Sequence, residues 1–291
     1  MGALRVMSVS CRAIDAGSFD GVVDCLARNL PGRNRGAWAR AIENMSRLPP
    51  IEGYPRYGYA LSANERIVGA LLLIFFRRAT DDLPYVQCNI SSWCVDPQYR
   101  GSAILLHLAA VKHRQATFVN ISPAPHTFAT IEALGFRRIS NGQILFAPKI
   151  WASRPDLRLH RFAADGADTS LLAPAERKIL ADHATLGCEA LVGVQGDRAF
   201  PFVLQRRMLR RLIPCGQLIY CRAMGEFFEF SALIGRFLFP RSGPFLLIDA
   251  EAPMRGLLGH YFAERNPKYF KGSNPPRLGD LAYTELPVFG H

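Results

Sequence analysis

The sequence predicts an α/β fold, or more finely an α+β one: tandem domains, each a mixed central β-sheet flanked by helices. Three observations carry this reading. Short alternating apolar runs are interleaved with segments of helical spacing, the same order of elements occurs twice, and the first half is centred on a strand, a tight turn and a helix. A chain of 291 residues has room for two domains of about 100–150 residues each. Hydrophobic residues make up 49% and charged residues 20%, a globular composition that rules out a disordered or fibrous chain.

In the first half, Ser8–Ile14 alternates as a strand, and Phe19–Asn29 and Arg35–Arg47 have helical spacing broken by Pro31-Gly32. Tyr57–Ser62, a polar turn at Ala63-Asn64-Glu65-Arg66, and Ile67–Arg77 form a hairpin pattern. Tyr85–Val95 is a strand, Pro97–Gly101 a turn and Ala103–His113 a helix with apolar positions at Ile104, Leu105, Leu108 and Val111. Thr117–Ile121 reads as a short buried strand. Thr127–Leu134 reads as a helix stopped by Gly135, and Gln143–Pro148 as a closing strand.

The second half repeats this order. Leu157–Phe162 is a strand and Ala175–Thr185 a helix; Ala190–Val194 and Ala199–Arg206 form a hairpin around Gln195-Gly196-Asp197-Arg198. Gly216–Arg222 is a strand, Phe228–Phe239 a helix, Pro244–Ile248 a strand, Met254–Ala263 a helix and Leu281–Phe289 a last strand. Cys88 and Cys94 recur as Cys215 and Cys221, each 127 residues later, and Thr117–Ala124 matches Phe245–Ala252 at 128. A repeat of this period means two similar domains rather than a solenoid. The expected boundary falls near Ile150–Pro155, giving domains 1–150 and 151–291.

The net charge of +11 suits polyanionic partners, with Arg206, Arg207, Arg210 and Arg211 as a local cluster that is equally a solvated basic face. No aromatic-basic recognition motif accompanies it, which argues against nucleic acid. The seven cysteines contain no C-x-x-C pair and no zinc-type spacing with histidine, so no metal is expected and a reducing compartment is. Met1–Ala13 has no apolar signal region, Val6 stands where a myristoylation signal has Ser or Thr, and the apolar run Val68–Phe76 is too short for a membrane span. These features point to the cytoplasm, away from membranes.

Chemistry concentrates in Val95-Asp96-Pro97-Gln98-Tyr99-Arg100-Gly101-Ser102-Ala103 and the helix behind it. A helix start offers free N–H groups and the positive end of a dipole, which suits a pyrophosphate. Gly101 permits close backbone approach, Ser102 and Ala103 are small, and Arg100 adds a forked cation. Taken alone, these residues are equally an ordinary strand-to-helix turn.

That segment, together with Glu132-Ala133-Leu134-Gly135-Phe136 further on, makes Ser8–Pro148 resemble the GNAT superfamily of N-acyltransferases. The resemblance implies transfer of an acetyl or longer acyl group from acyl-CoA to a primary amine, by direct attack in a ternary complex. It implies acetyl-CoA or acyl-CoA as the donor, its pyrophosphate held by the amides of Gly101, Ser102, Ala103, Ile104 and Leu105 with Arg100 alongside. Pantetheine would fill a gap where the central strand splays from its parallel neighbour. The backbone of Trp93 and Val95 would meet its amides, the Cys94 amide would polarise the thioester carbonyl, and Asn120 and Ser122 would line the far side. The sequence departs from the family at three places: Ala103 replaces the central loop glycine, Leu105 replaces the last small residue, and Ile131 stands where a general-acid tyrosine is common.

For proton transfer the candidates are His126, which is otherwise a helix-cap or surface histidine, and Ser92, which is otherwise a strand hydroxyl bonded locally. Cys88 and Cys94 lack a matched His/Asn partner for covalent catalysis. The second half has Ala223-Met224-Gly225-Glu226-Phe227-Phe228-Glu229 in place of the loop; its two carboxylates would repel phosphate, so this half reads as a degenerate copy without cofactor. The acceptor is a small-molecule or peptide amine. Two alternatives remain at this point: a donor carried by an acidic acyl carrier protein, and a CoA-binding module without activity.

Overall fold

The computed structural model describes residues 8–78, 84–152, 154–209 and 212–290; Val6, Arg210 and Arg211 lie outside them. The described residues form two compact units, one of residues 1–120 with 271–274, the other of residues 121–270 with 275–291.

The first unit orders five strands as β1 (Val9–Ala13), β2 (Gly58–Ala63), β3 (Arg66–Arg78), β4 (Tyr85–Val95) and β5 (Thr117–Asn120). All neighbours are antiparallel except β4–β5. The β2–β3 hairpin turns at Asn64 and Glu65, both at positive φ (49° and 63°), the conformation a two-residue turn needs to match strand twist. Helices α1 (Phe19–Asn29) and α2 (Arg35–Arg47) present Val22, Leu26, Trp38 and Ile42 to the interior, where Leu61, Leu71 and Ile74 are buried on the sheet. Asn34 caps α2 by accepting from Ala37 N–H at 2.9 Å. Helix α3 (Ala103–Val111) follows β4 and packs against β2.

In the second unit the strand order is β12-β6-β11-β10-β9-β8-β7. These are β6 (Arg137–Phe146), β7 (Leu157–Arg161), β8 (Glu189–Gln195), β9 (Arg198–Leu209), β10 (Ile213–Cys221), β11 (Phe245–Ala250) and β12 (Gly259–Lys271). Only β10–β11 is parallel. Three helices precede β11 in this unit: the short α4 (Phe128–Ala133), then α5 (Pro174–Thr185) and α6 (Met224–Ser242). Strand β6 pairs with β11 and β12 inside this unit, Gln143 facing Asp249 and Phe262.

The C-terminal stretch departs from the sequence reading. Met254–Ala263 is expected to be a helix, but the chain runs as strand β12 from Gly259. Leu257, Leu258, Tyr261 and Phe262 satisfy a helical spacing, yet pairing with β6 takes the backbone. A Cβ at Gly259 would sit 2.4 Å from Leu145 O, so only glycine lets the two strands close up there. Leu281–Phe289 is expected to be a strand, and instead ends in a one-turn helix, α7 (Glu285–Phe289).

The core of the second unit lies between α6 and the sheet. Phe227, Phe230 and Ile234 of α6 are fully buried against Phe200, Phe202 and Leu204. Phe230 lies over Gly193, where a Cβ would come within 2.6 Å of the ring. Phe230→Ala therefore leaves a cavity that β8 cannot fill, and should lower unfolding free energy by about 3–5 kcal/mol, measured by denaturant titration.

Candidate functional site

Strand β4 is the element from which the site is built. Its parallel pairing with β5 runs Gln87–Thr117, Cys88–Phe118 and Asn89–Val119 and then ends, although β4 continues to Val95. The Asn89 side chain, fully buried, sits at the point of separation and donates to Ile90 O (2.9 Å) and Val119 O (3.4 Å). On its other edge β4 pairs with β3, and the register slips between Leu72–Ser91 and Ala70–Cys94. The extra residue forms a β-bulge, and Ser92 has φ 53°. A bulge bends the strand and re-aims its backbone groups, and this one lies where β5 has already let go.

Trp93, Cys94 and Val95 continue β4 beyond the last pair with β5, and Asn120 ends β5. Trp93 is 39% exposed and stacks on His107 of α3, ring centroids 6.0 Å apart at 16°. Burial, followed by Lys271 nearby, holds the His107 pKa down, so the ring is neutral under physiological conditions. Ser92 Oγ lies 2.9 Å from Ser91 Oγ. Cys94 is buried, and its Sγ is 4.0 Å from Cys25 Sγ. That contact, together with burial, pushes the Cys94 thiol far above the ordinary range, while burial does the same to Cys88. Neither is a poised thiolate, which agrees with the absence of a His/Asn partner. Asn120 closes β5, half-buried.

After β4 the chain turns through a 3-10 helix, Pro97–Ser102, directly into α3. Tyr99 is buried and Arg100 exposed. A Cβ at Gly101 would meet nothing within 4 Å, so no neighbouring group of the protein requires glycine there. Ser102 makes no side-chain cap, and Ser102 and Ala103 are half-buried. The Ala103 amide donates to Arg100 O, so one of the five amides assigned to a pyrophosphate is already committed within the turn. Ile104 and Leu105 stand half and one-third exposed, and Leu108 is also out.

Sequence reading missed what holds this turn in place. Asp96 is 6% exposed and receives Arg28 Nε at 2.8 Å, Arg28 Nη2 at 2.9 Å and Asn29 Nδ2 at 2.7 Å. Arg28 also donates to Ile67 O at 2.9 Å. The forked guanidinium thus ties α1, β3 and the turn after β4 together. Burial alone would raise the Asp96 pKa, but the bonds from Arg28 and Asn29 outweigh it and hold the carboxylate below its usual range.

Ser122, His126 and Ile131 lie in the second unit. His126 is exposed on the single turn Pro125–Thr127. Ile131 is buried in α4, as an aliphatic residue at a helix face should be. Ser122 Oγ donates to the Glu285 carboxylate, a close contact with a side chain 8% exposed. A second buried carboxylate, Asp249, accepts from Gln143 Nε2 (2.9 Å) and pairs with Lys268 Nζ (3.5 Å). Burial pulls the Lys268 pKa down, against the pull of Asp249. Arg206 of the basic cluster is neutralised by Glu189, Nη2 to Oε1 at 2.6 Å. Among the described residues no group of His, Cys, Asp or Glu is arranged to hold a metal ion, and no helix is long and apolar enough to cross a membrane.

No family profile and no curated protein sequence matches the chain. Solved structures do. A probable N-acyltransferase of Enterococcus faecalis superposes at TM-score 0.56 with 13% identity, over 94% of this chain and 73% of that one. A putative acetyltransferase of Pyrococcus horikoshii gives 0.54 and 11%, over 97% and 95%. A GCN5-related N-acetyltransferase of Sphaerobacter thermophilus gives 0.53 and 14%, over 94% and 98%. The chain has the GCN5-related N-acetyltransferase (GNAT) fold.

In the first unit of this fold, β4 separates from β5 beside the bulge at Ser92. The GNAT likeness spans nearly the whole chain, and the second unit carries the same two devices. Its bulge lies between Leu218 and Tyr220, and its parallel pairing runs from Cys215–Phe245 to Gln217–Leu247.

Because Asp96 has a depressed pKa in the folded state, its ion pair stabilises fully above the ordinary aspartate pKa of about 3.9. The contribution is lost as pH falls from there through the folded value. Asp96→Asn should cost about 2–3 kcal/mol at pH 7. The gap between the two proteins should close on acidification below pH 4 in urea unfolding.

Proposed function

We propose that the chain is an N-acyltransferase that moves an acetyl or longer acyl group from acyl-CoA to a primary amine. The observation that carries this is the opening in the first unit: parallel pairing stops at Asn89–Val119 while β4 continues through a bulge at Ser92. An extended thioester carrier with its own amides fits such a gap, because β4 offers backbone groups that β5 does not take. The wide clearance at Gly101 and the exposed cation of Arg100 fit a pyrophosphate at the start of α3.

In this reading the amides of Gly101, Ser102, Ile104 and Leu105 hold the pyrophosphate. Trp93 and Val95 align the pantetheine through their backbone, with Asn120 across the gap. The Cys94 amide polarises the thioester carbonyl, so that charge developing on its oxygen meets a fixed dipole. The donor supplies the activated acyl group, and the amine attacks it directly when both are bound. Ser92, at the bulge, is positioned to hold a water or a proton near that carbonyl. The second unit takes no donor of its own. Its counterpart of the loop carries Glu226, paired with Arg222 at 3.3 Å, so that the carboxylate and its partner cation satisfy each other there.

A donor presented by an acidic carrier protein is favoured by one further observation, the exposure of Ile104 and Leu108 beside Arg100, on a chain of charge +11. Free acetyl-CoA and carrier-bound acyl groups are distinguished by turnover: steep loss of carrier-dependent rate with salt, and slow use of free acyl-CoA, select the carrier.

The direct test is thermal shift with acetyl-CoA and CoA. Saturating ligand at a hundredfold its Kd should stabilise the chain by about 2.7 kcal/mol. Gly101→Ala should fold and bind within a few-fold of the parent, while Gly101→Glu should fold equally well and lose the shift. Absence of any shift with acetyl-CoA or CoA at millimolar concentration would rule the reading out.

A further inference from the structure

The second unit repeats the opening of the first, and the chain itself occupies it. At the 127-residue offset, Ser91 and Cys94 correspond to Leu218 and Cys221, and the β10 bulge, between Leu218 and Tyr220, lies within that span. Parallel pairing with β11 ends at Gln217–Leu247, within one residue of the corresponding point in the first unit. Past that point, on the edge of β10 opposite β9, lies Gly279-Asp280-Leu281. Leu281 N–H donates to Ile219 O at 2.7 Å, Cys221 N–H donates to Gly279 O at 2.9 Å, and Tyr220 and Asp280 form an antiparallel bridge.

The fit is close. Gly279 has φ 78°, and a Cβ there would fall 2.6 Å from Cys221 Sγ and 2.9 Å from Met224 Sδ; only glycine brings the backbone this near. Arg277 donates to the carbonyls of Cys221 (2.8 Å) and Arg222, and pairs with Asp280 at 3.3 Å. Downstream, Tyr283 N–H donates to His183 Nε2 (3.1 Å), Tyr283 OH donates to Asp182 (2.6 Å), and Gln205 donates to Leu286 O (2.8 Å). The segment is therefore fastened at both ends.

We propose that the second unit retains a working slot whose ligand is an extended peptide, and that Gly279–Leu281 is that ligand, bound in cis. This rests on the reading of the first unit as a thioester site. The Cys221 amide holds the Gly279 carbonyl just as its counterpart, the Cys94 amide, is assigned the thioester carbonyl. A peptide can take the place of pantetheine because both are chains of alternating amide donors and acceptors that pair with a strand edge. The consequence is one donor site per chain, with the second slot closed by occupation as well as by the loss of its phosphate loop.

Hydrogen exchange by mass spectrometry on the full chain tests this. Without ligand, peptides covering Ile219–Arg222 and Gly279–Leu281 should be protected to the same degree. Acetyl-CoA should protect Trp93–Leu105 and leave both of those unchanged, with one acetyl-CoA per chain by calorimetry. Gly279→Val should speed exchange in both second-unit peptides together by roughly tenfold or more. Arg277→Ala, which introduces no clash, should do the same if the glycine variant fails to fold. Unchanged exchange at Ile219–Arg222 in Arg277→Ala overturns the proposal. So does protection of that peptide by acetyl-CoA with release of Gly279–Leu281. If acetyl-CoA protects nothing, the thioester reading fails, while the two variants still decide whether the segment fills the slot.

Discussion

Two parallel strands stay paired only while they remain about 4.8 Å apart. In this chain both parallel pairs separate at equivalent points, each beside a bulge on the strand that continues. The separation at Asn89–Val119 decides most of what the first unit can do. It frees one edge of β4 over a few residues, and the bulge at Ser92 turns those groups outward. Buried backbone groups need partners, so an opening of this kind is suited to a ligand that is itself an extended chain of amides. Asn89 stops the split from running further, because its side-chain amide takes the carbonyls that the two strands no longer exchange.

The turn after β4 is held by charge more than by apolar packing. Pro97 starts it, but Asp96 fixes it, through a bidentate guanidinium from α1 and an amide from Asn29. A buried carboxylate with three donors resists displacement, since removal of any one leaves charge uncompensated. This anchoring lets the residues beyond it stay open. Gly101, Ile104 and Leu105 contribute little to the packing of the unit, so their identities are free to answer to a ligand or a partner surface.

Strand β4 and the two hairpins were legible because each follows from local rules: alternation, turn residues and a proline that ends a strand. The bulge was not, since nothing in Ser91-Ser92-Trp93 announces a positive φ at a serine. Nor was the Arg28–Asp96 pair, whose partners are 68 residues apart and look like a helix end and a loop acid. The C-terminal stretch misled for a different reason. Leu257, Leu258, Tyr261 and Phe262 fit a helix by spacing, but positive φ at Glu264 and Asn266 and the pairing with β6 impose an interrupted strand. Tertiary contacts overrode local preference there. Arg277, Gly279 and Glu285 showed no signal at all, because their partners are assembled from distant segments.

The duplicated slot shows what the opening costs when its ligand changes. A split parallel pair leaves orphan donors and acceptors in any copy of the fold. In the second unit the start of α6 carries Glu226, and Arg222 serves Glu226 and Glu176 there. A phosphate-bearing carrier gains little beside those carboxylates, and the freed groups of Ile219 and Cys221 must be met in another way. A glycine at positive φ, an arginine on the exposed carbonyls and a clamped tyrosine meet them with the chain's own backbone. The strand edge that the first unit leaves open is therefore taken in the second by the Gly279–Leu281 segment.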